Sequence, residues 1–479
     1  MTEVRTQLPI YHNSVDWDAL FSAYPVPDVF EQTVFRWSPD QLRAFQNQRF
    51  KALMELGWKN EFYRKRWAAA GLQPGDVRSL DDIGKLPTYT SDDVKNDQTE
   101  HPPFGEFHGD WRSMLSTTPL KLQTSGGTTG RPRGTLYGPL DWEMNALTQA
   151  RAFYIQGVRP GDIMQIPSTC SLANLGWNTY KACHDYLGVL PLTTGSGVVT
   201  SSRRQLETAF DVGTNFWCSF PEYLTQLAKV ARDDLGRDVR ELKTKGIASF
   251  LGPDTDNSLR KQLEELWGCP VYDTYGANEM GAAGFECRAQ DGMHIMEDCV
   301  FVEIVDVDTG LPVADGQAGN MVVTILHRNL PPVIRYNVRD LGRILHTEQC
   351  SCGGCFRRMD KFLGRSDDMI KLRGVNIYPM ACLTAIKSDP RTTGEWLCVV
   401  DRREDNGVIR DEMTVLIEVQ GSATSIDGLR EILESRLKSD LGLKVAVELK
   451  GEGELAVMAN VGREGKPKRL LDRRFSATS

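Results

Sequence analysis

A loop of hydroxyls and glycines constrains this chain more than any other segment. It runs from Leu122 to Gly134 and reads LQTSGGTTGRPRG. Glycines let a backbone approach an anion closely, and successive backbone N–H groups can form a concave anion site. The chemistry predicts a phosphate-binding loop, with a flexible Gly/Thr turn as the alternative if the loop is taken alone. It is not a Walker A loop, because that pattern of glycines and lysine is absent.

Length and composition indicate a globular protein with several structural units. The chain has 479 residues, which suggests roughly two to four units. Hydrophobic residues make up 41% and charged residues 25%, as in ordinary soluble enzymes. The net charge of −8 argues against a nucleic-acid-binding protein. A local basic cluster near the C-terminus is the exception: Lys466, Lys468, Arg469, Arg473 and Arg474.

The sequence offers no sign of export or of a membrane span. No apolar run approaches the roughly 18 residues of a transmembrane helix, and residues 1–5 do not open a signal peptide. The eleven cysteines are irregularly spaced, which favours thiols and metal ligands over disulfides in such a chain. We expect a cytoplasmic protein that binds neither membranes nor nucleic acids.

Short apolar runs alternate with amphipathic stretches from about residue 120 to 335, and this pattern predicts a layered α/β domain. Strands are expected at 161–167, 187–192, 214–219, 246–251 and 269–273. Helices are expected at 203–211, 221–235 and 257–267, with another beginning at Ser38-Pro39.

The domain organisation follows from changes in this pattern. Residues 1–365 are predicted to form the large N-terminal domain, with an irregular extension at 1–35 and a β subdomain at about 298–345. Residues 366–479 are predicted to form a small, mobile α+β domain. Its strands are expected at 396–401 and 413–419 and its amphipathic helix at 426–440.

Two motifs in the large domain have the chemistry of a nucleotide site. Residues 271–281, VYDTYGANEMG, present an aromatic ring that can stack on a base and a glutamate suited to Mg²⁺. A surface turn is the alternative. Residues 334–343, IRYNVRDLGR, place Asp340 where a strand ends and where it could accept ribose hydroxyls. The alternative is a salt bridge with one of the neighbouring arginines.

Two motifs belong to the C-terminal part. Residues 362–377, FLGRSDDMIKLRGVNI, contain an Asp-Asp pair flanked by glycines, which suits a hinge. Residues 462–469, GREGKPKR, place a lysine in a Gly-containing loop, where it can bring a point charge to a phosphate. The alternatives are a charged linker and a basic solvated tail.

Taken together and in this order, these motifs resemble those of the adenylate-forming superfamily of acyl- and aryl-CoA synthetases, NRPS adenylation domains and luciferases. The phenylacetate–CoA ligase-like family is the most similar, over nearly everything after the first 35 residues. The similar sequence segments include residues 60–64, 71–75 and 157–162. The resemblance implies an enzyme that uses ATP to convert a carboxylic acid into an acyl-adenylate, releases pyrophosphate, and transfers the acyl group to a thiol.

The resemblance also implies the roles of individual residues. The triphosphate loop would comprise Ser125, Gly126, Gly127, Thr128, Thr129 and Gly130. Adenine, ribose and the adjoining phosphate would contact Gly252, Pro253, Asp254, Tyr275, Gly276, Asp340 and Arg365. Glu279 would bind Mg²⁺, and Lys466 would be the catalytic lysine. Asp367 would be the hinge, and Lys371, Arg373 and Gly374 would serve the thiol step.

Some positions depart from the family pattern. Gly126 stands where a second hydroxyl is usual, and Arg133 where a lysine is frequent. Asn278 replaces a Ser or Thr, and Val338-Arg339-Asp340 replaces the common Thr-Gly-Asp. These differences affect the fine geometry of ATP binding and the choice of acid.

A cysteine-rich segment suggests a structural metal. Closely spaced thiols in Cys350-Ser351-Cys352-Gly353-Gly354-Cys355 suit a tetrahedral zinc knuckle. By resemblance the ligands would be Cys287, His294, Cys350 and Cys352, with Cys355 as a rival. A loop of free thiols is the alternative.

The acid and the acceptor are the least readable features. The resemblance places the ring near Trp177, Phe220 and Ala277, although large aromatic residues are more often plain core. An aromatic acid fits this set better than a long acyl chain. CoA is the expected acceptor, with a carrier-protein pantetheine or an amine as alternatives. A homodimer is a fair expectation.

Overall fold

The computed structural model describes residues 8–124, 133–254, 257–367, 370–372, 375–405, 408–421, 423, 425–459 and 468–474. The chain divides into two compact units between Phe362 and Leu363. The sequence predicts a boundary near residue 365. Each unit is described separately below.

The helices of the large unit begin at well-defined caps. The longest starts after Ser38, whose side chain and that of Gln41 form a reciprocal capping box, with Pro39 at the first position. The helices are α1 (Trp17–Ala23), α2 (Pro27–Gln32), α3 (Pro39–Lys59), α4 (Glu61–Ala69), α5 (Ser91–Glu100), α6 (Trp111–Met114), α7 (Pro139–Gln156), α8 (Leu175–Lys181), α9 (Ser202–Val212), α10 (Pro221–Leu235) and α11 (Ser258–Trp267).

The segment expected to be irregular, residues 1–35, contains α1 and α2. Both helices are too short to give a readable apolar periodicity. Asp16 caps the first by accepting a hydrogen bond from the Ala19 N–H, and Pro27 begins the second. Phe30 and Phe35 are buried in the main core, so this segment is part of the large unit's fold.

The strands of the large unit are β1 (Lys121–Thr124), β2 (Gly134–Tyr137), β3 (Ile163–Gln165), β4 (Leu190–Leu192), β5 (Phe216–Ser219), β6 (Gly246–Ser249), β7 (Val271–Ala277), β8 (Gly281–Glu286), β9 (Met293–Ile295), β10 (Val300–Val305), β11 (Gly319–Ile325), β12 (Val333–Gly342), β13 (Ile344–His346) and β14 (Arg358–Met359). Strands β1 and β2 form an antiparallel hairpin. Strands β10, β11 and β12 form a three-stranded antiparallel sheet.

A nine-stranded sheet dominates the large unit, in the order β13-β14-β9-β8-β7-β6-β5-β3-β4. The half from β4 to β7 is parallel, and the half from β7 to β13 is antiparallel. Helices separate successive strands of the parallel half, as right-handed crossover connections require. The predicted α/β fold class is confirmed.

The small unit is an α+β fold with its own core. Its strands are β15 (Ile370–Leu372), β16 (Val375–Ile377), β17 (Thr392–Asp405), β18 (Val408–Val419), β19 (Ala446–Lys450) and β20 (Leu470–Asp472). Its helices are α12 (Cys382–Lys387) and α13 (Leu429–Leu441). Four strands pair in the order β19-β18-β17-β20. Leucines spaced four residues apart on α13, at 429, 433, 437 and 441, are buried in this core.

Long apolar helices of the kind that span a bilayer are not found among the residues that the structure describes.

Strand β12 carries a strained backbone directly before Asp340. Arg339 has φ +62°, in the left-handed region that favours glycine. Its N–H donates to Asn337 Oδ1 at 2.9 Å, and its guanidinium donates to Asp92 Oδ2 at 2.7 Å. Arg339 therefore adopts a conformation that glycine takes without strain, and glycine is the residue that the resemblance leads one to expect at this position.

We expect Arg339→Gly to be more stable to urea than Arg339→Ala, by about 1 kcal/mol, because both lose the Asp92 pair but only alanine keeps a Cβ in the left-handed region. Equilibrium unfolding measures this difference. At the neighbouring extended position the order should reverse, with Val338→Ala more stable than Val338→Gly. Equal or greater stability of Arg339→Ala would contradict the assignment of strain.

Candidate active site

A tight turn between β7 and β8 carries Glu279, the predicted Mg²⁺ ligand. The Met280 N–H donates to the Ala277 carbonyl at 3.2 Å, which closes the turn. A Cβ on Gly276 would collide with the carbonyl oxygen of Gly281. Gly281 itself has φ +65°. Glycines are therefore required on both sides of the turn that carries Glu279.

The turn is joined to β12 by a buried hydrogen bond. The Tyr275 hydroxyl donates to Asp340 Oδ2 at 2.6 Å, and both side chains are at most 9% exposed. The sequence alternative pairs Asp340 with a neighbouring arginine. Arg335 pairs with Glu303, Arg339 with Asp92 and Arg343 with Asp360, and the arginine alternative for Asp340 stays a prediction beside the ribose role. The predicted ribose and adenine residues thus lie side by side.

Glu279 lies in a cationic setting. Its carboxylate pairs with the guanidinium of Arg133, and both side chains are largely buried. Arg328, itself 1% exposed, donates to the Glu279 carbonyl oxygen at 3.0 Å and so holds the backbone of the turn. Arg133 neutralises the carboxylate in this conformation, and the role of Glu279 as a Mg²⁺ ligand stays a prediction. Neither arginine was predicted, because each reaches the turn from a distant part of the chain.

The predicted adenine-side turn begins with Gly252 at φ +67° and continues through Pro253. The Asp254 carboxylate accepts hydrogen bonds from the Leu259 and Arg260 N–H groups, at 2.9 and 3.0 Å, at the start of α11. Its side chain is therefore committed to capping the helix. The adenine contact of this turn stays a prediction.

Asp273, a buried residue beside the predicted adenine-side turn, was not singled out from the sequence. It is buried, and its Oδ1 accepts from the Leu251 N–H at 2.9 Å, which ties the adenine-side turn to β7. Burial, and then the neighbouring Glu286 carboxylate, raise the pKa of Asp273 to about 7. A charged residue in the middle of the apolar run 271–275 was the available signal, since aspartate is seldom fully buried without a purpose.

The proposed walls of the acid pocket are not core residues. Trp177 is 38% exposed, and its indole N–H donates to the Ser171 carbonyl at 2.9 Å. Phe220 is 46% exposed and packs against Phe250 with ring centres 5.3 Å apart. Ala277 is half-buried beside the β7–β8 turn. The exposure of Trp177 and Phe220 leaves both aromatic side chains accessible, and their role as pocket walls stays a prediction.

Three cysteines and a histidine converge at the antiparallel end of the large sheet. One donor atom each from Cys287, His294, Cys350 and Cys352 lies within 4.8 Å of the others. The Sγ atoms of Cys287 and Cys350 are 3.8 Å apart. A tetrahedral zinc ion with Zn–S bonds of about 2.3 Å separates its sulfurs by about 3.8 Å. The donor set and spacing therefore fit a structural Zn²⁺.

The surroundings of these side chains also suit a metal. His294 Nδ1 lies 3.2 Å from the Phe356 carbonyl oxygen, so a proton there leaves Nε2 free to ligate. The Ala289 and Gly354 N–H groups donate to the Sγ atoms of Cys287 and Cys352, both at 3.4 Å. Cys355 is half-buried and lies outside the four-residue group.

In the small unit, Arg365 and the predicted hinge residue Asp367 form a two-pronged ion pair. Arg365 Nε and Nη2 each donate to an Asp367 oxygen at 2.7 Å. The backbone of Lys371 pairs with that of Asn376 in the β15–β16 hairpin. The triphosphate loop at 125–130, the thiol-step residues Arg373 and Gly374, and the catalytic Lys466 lie outside the described residues. Their roles stay predictions.

Asp273→Asn should change how stability depends on pH. The aspartate's ordinary pKa is 3.8, and in the folded protein it is about 7. Between these values the folded state binds more protons than the unfolded chain, so this group's contribution to the unfolding free energy falls as pH rises and levels off above pH 7. Relative to Asp273→Asn, which keeps the acceptor for Leu251, the parent should lose stability from about pH 4 to 7. Urea unfolding midpoints of the parent and of Asp273→Asn, measured across this range, test the prediction. A difference between the two midpoints that does not change with pH would contradict the raised pKa of Asp273.

The comparisons with known proteins agree with this geometry. A family model described as AMP-binding enzyme matches residues 75–325, and one described as AMP-binding enzyme C-terminal domain matches residues 374–474. The solved structure of 2-hydroxyisobutyryl-CoA ligase in the postadenylation state with R3-HIB-AMP has a TM-score of 0.78 at 26% identity, covering 92% of this chain and 91% of that one.

Two relatives cover nearly the whole chain. Phenylacetate-coenzyme A ligase of Aromatoleum evansii is 31% identical over 446 residues, which is 91% of this chain and 96% of that protein. The enzyme of the same name from Escherichia coli (strain K12) is 29% identical over 448 residues, with the same coverage of both proteins. The chain is an AMP-forming acid–thiol ligase and belongs to the adenylate-forming superfamily, in its phenylacetate–CoA ligase-like family.

Proposed function

We propose that the protein activates an aromatic carboxylic acid with ATP and transfers the acyl group to the thiol of CoA. The observation that carries the proposal is the buried Tyr275–Asp340 hydrogen bond beside the turn of Glu279. It brings the predicted adenine, ribose and metal positions together in one unit. The family membership and the relatives named for phenylacetate–CoA ligation support the reaction class.

The first step joins two anions. A carboxylate oxygen attacks the α-phosphorus of ATP, the bond to the bridging oxygen breaks, and pyrophosphate leaves with that electron pair. In this proposal Ser125 to Gly130 hold the triphosphate through backbone N–H groups and hydroxyls. Glu279 would hold Mg²⁺ next to the phosphates, where the ion would supply positive charge. No side chain needs to act as a base, because the acid is already ionised.

Lys466 is proposed to supply the remaining positive charge. An ammonium aimed at the reacting phosphoryl group stabilises the transition state more than the ground state, because negative charge accumulates on the bridging oxygens during the step. The lysine needs no proton transfer for this role.

The second step is proposed to use the small unit differently. Rotation about Asp367 would withdraw Lys466 and bring the segment of Lys371, Arg373 and Gly374 towards the thiol. The thiol sulfur then attacks the acyl carbon and AMP departs. The ion pair between Arg365 and Asp367 supports a defined local conformation from which the proposed rotation would start.

CoA is the acceptor in this proposal. Solved structures of 2-hydroxyisobutyryl-CoA ligase, to which this chain is similar, contain its acyl-adenylate together with CoA. A carrier-protein pantetheine or an amine is the second candidate, and an acceptor screen after adenylation would separate them. A homodimer and a cytoplasmic location remain predictions from the sequence.

We also propose a structural Zn²⁺ held by Cys287, His294, Cys350 and Cys352. The ligands come from β9 and from segments next to β8 and β14, so the ion would fasten the antiparallel end of the sheet. Four protein ligands leave no open position for catalysis.

Replacing Lys466 should slow adenylation selectively. We expect Lys466→Ala to lower acid-dependent exchange of pyrophosphate into ATP by on the order of 10²–10³-fold. Lys468→Ala is the matched control, because it removes the same charge from the same basic segment, and it should retain the parent rate within a few fold. Adenylate formation by Lys466→Ala at the parental rate would exclude the lysine from this step.

Metal analysis of the purified full-length protein tests the zinc proposal. We expect about one zinc ion per chain, a large loss in Cys352→Ser, and full retention in Cys355→Ser, since four ligands complete the site without Cys355. The proposal fails if the parent contains no zinc after growth with added zinc. It also fails if Cys355→Ser loses the metal and Cys352→Ser keeps it.

A further inference from the structure

Three buried amide side chains near the proposed acid pocket take no part in the chemistry above. They are Gln123 on β1, Asn145 on α7 and Asn178 on α8, which are 0%, 2% and 4% exposed. We call them the amide cluster. Gln123 Oε1, Asn145 Nδ2 and Asn178 Oδ1 have no hydrogen-bond partner among the residues that the structure describes. Buried polar atoms are nearly always paired in folded proteins, so these three atoms are available to a bound water or to a polar group of a ligand.

A lysine shows that the three elements of the cluster converge. Lys121 Nζ lies 3.6 Å from the ring centre of Trp142 on α7 and 4.7 Å from that of Trp177 on α8. Gln123 is two residues from Lys121 on β1 and therefore shares its face of the strand. Asn145 is three residues from Trp142 on the same side of α7. Trp177 belongs to α8, the helix that also carries Asn178.

Hydrogen bonds join Gln123 to the start of α8 and join α7 to α8. Gln123 Nε2 donates to Asn174 Oδ1 at 2.5 Å, and Asn174 lies one helical turn before Asn178. Gln149, one turn after Asn145, donates to the Thr179 hydroxyl at 3.0 Å and pins α7 to α8. Gln123 is therefore held directly, and the helices that carry Asn145 and Asn178 are joined to each other.

The cluster adjoins the turn that carries Ala277 and Glu279. Asn278 Nδ2 donates to the carbonyl oxygen of Thr124, the residue after Gln123, at 3.1 Å. Asn145 Oδ1 lies only 2.7 Å from where a Cβ on Gly281 would stand. The amides are thus next to the place where the acid must lie if its carboxylate is to reach the nucleotide.

We propose that the amide cluster binds a hydroxyl substituent on the ring of the aromatic acid, so that the preferred substrates are hydroxylated aromatic acids. The cluster offers both unpaired acceptors and an unpaired donor, and a hydroxyl is the small neutral group that both donates and accepts. Its members are uncharged and offer no partner of opposite charge to an ammonium group. This inference rests on the proposed function and narrows its substrate class.

Initial rates of pyrophosphate exchange with matched acids test the inference in the unaltered protein. The panel contains para- and meta-hydroxyphenylacetate, the corresponding hydroxybenzoates, and for each the methyl-, amino- and unsubstituted acid. We expect kcat/KM for one hydroxy acid to exceed that for its methyl counterpart by at least about tenfold, because buried amides reject a group that cannot pair with them. The inference would be overturned if kcat/KM for the methyl-substituted acid equalled that for the hydroxy acid at every ring position. A general preference for the amino-substituted acids of the panel would overturn it too.

Variants assign the preference to the cluster. Asn178→Leu and Gln123→Leu should lower the hydroxy-to-methyl ratio at least about tenfold while exchange with the methyl acid persists. Gln46→Leu is the control: this amide is equally buried on α3, but its NH₂ already donates to the Glu297 carbonyl at 2.8 Å. An unchanged ratio in both cluster variants overturns the inference and leaves the proposed function intact. Absence of exchange with any acid would instead refute the proposed function.

Discussion

The turn between β7 and β8 is the constraint on which the proposed active site depends. It lies where the nine-stranded sheet changes from parallel to antiparallel. The backbones at Gly276 and Gly281 approach so closely that a side chain on Gly276 would collide with the opposite carbonyl. This contact fixes the positions of Tyr275 and Glu279. Because Tyr275 also binds Asp340, one local geometry brings two sheets and three predicted nucleotide contacts together.

Positive charge surrounds Glu279 in the large unit. The Glu279 carboxylate pairs with Arg133, and Arg328 holds its backbone, so the predicted metal ligand lies among cations before any nucleotide binds. The proposed reaction needs this character, since an ionised acid must approach an α-phosphorus surrounded by negative oxygens. The buried Asp273, mostly protonated below pH 7, ties the adenine-side turn to the same strand without adding a full negative charge there.

The fold could be predicted from the sequence where local signals were strong. The helix expected at 221–235 is α10 over the same residues, because Pro221 begins it and Gly236 ends it in the left-handed conformation. Contacts between distant segments were not readable. Arg133 reaches Glu279, and Asp273 reaches Leu251, only after the sheet has formed. The amide cluster has no motif, since its members look like ordinary polar residues until their burial is known. Resemblance alone suggested the cysteine and histidine ligands.

The central claim is that the carboxylate attacks the α-phosphorus. Turnover of an aromatic acid whose carboxylate carries ¹⁸O tests it most directly, with mass spectrometry of the products after CoA is added. The account predicts one labelled oxygen in AMP and none in inorganic phosphate or pyrophosphate, because the acid oxygen stays on the α-phosphorus when the thiol displaces AMP. Label in orthophosphate together with formation of ADP would contradict the account, because the acid would then have attacked the γ-phosphorus.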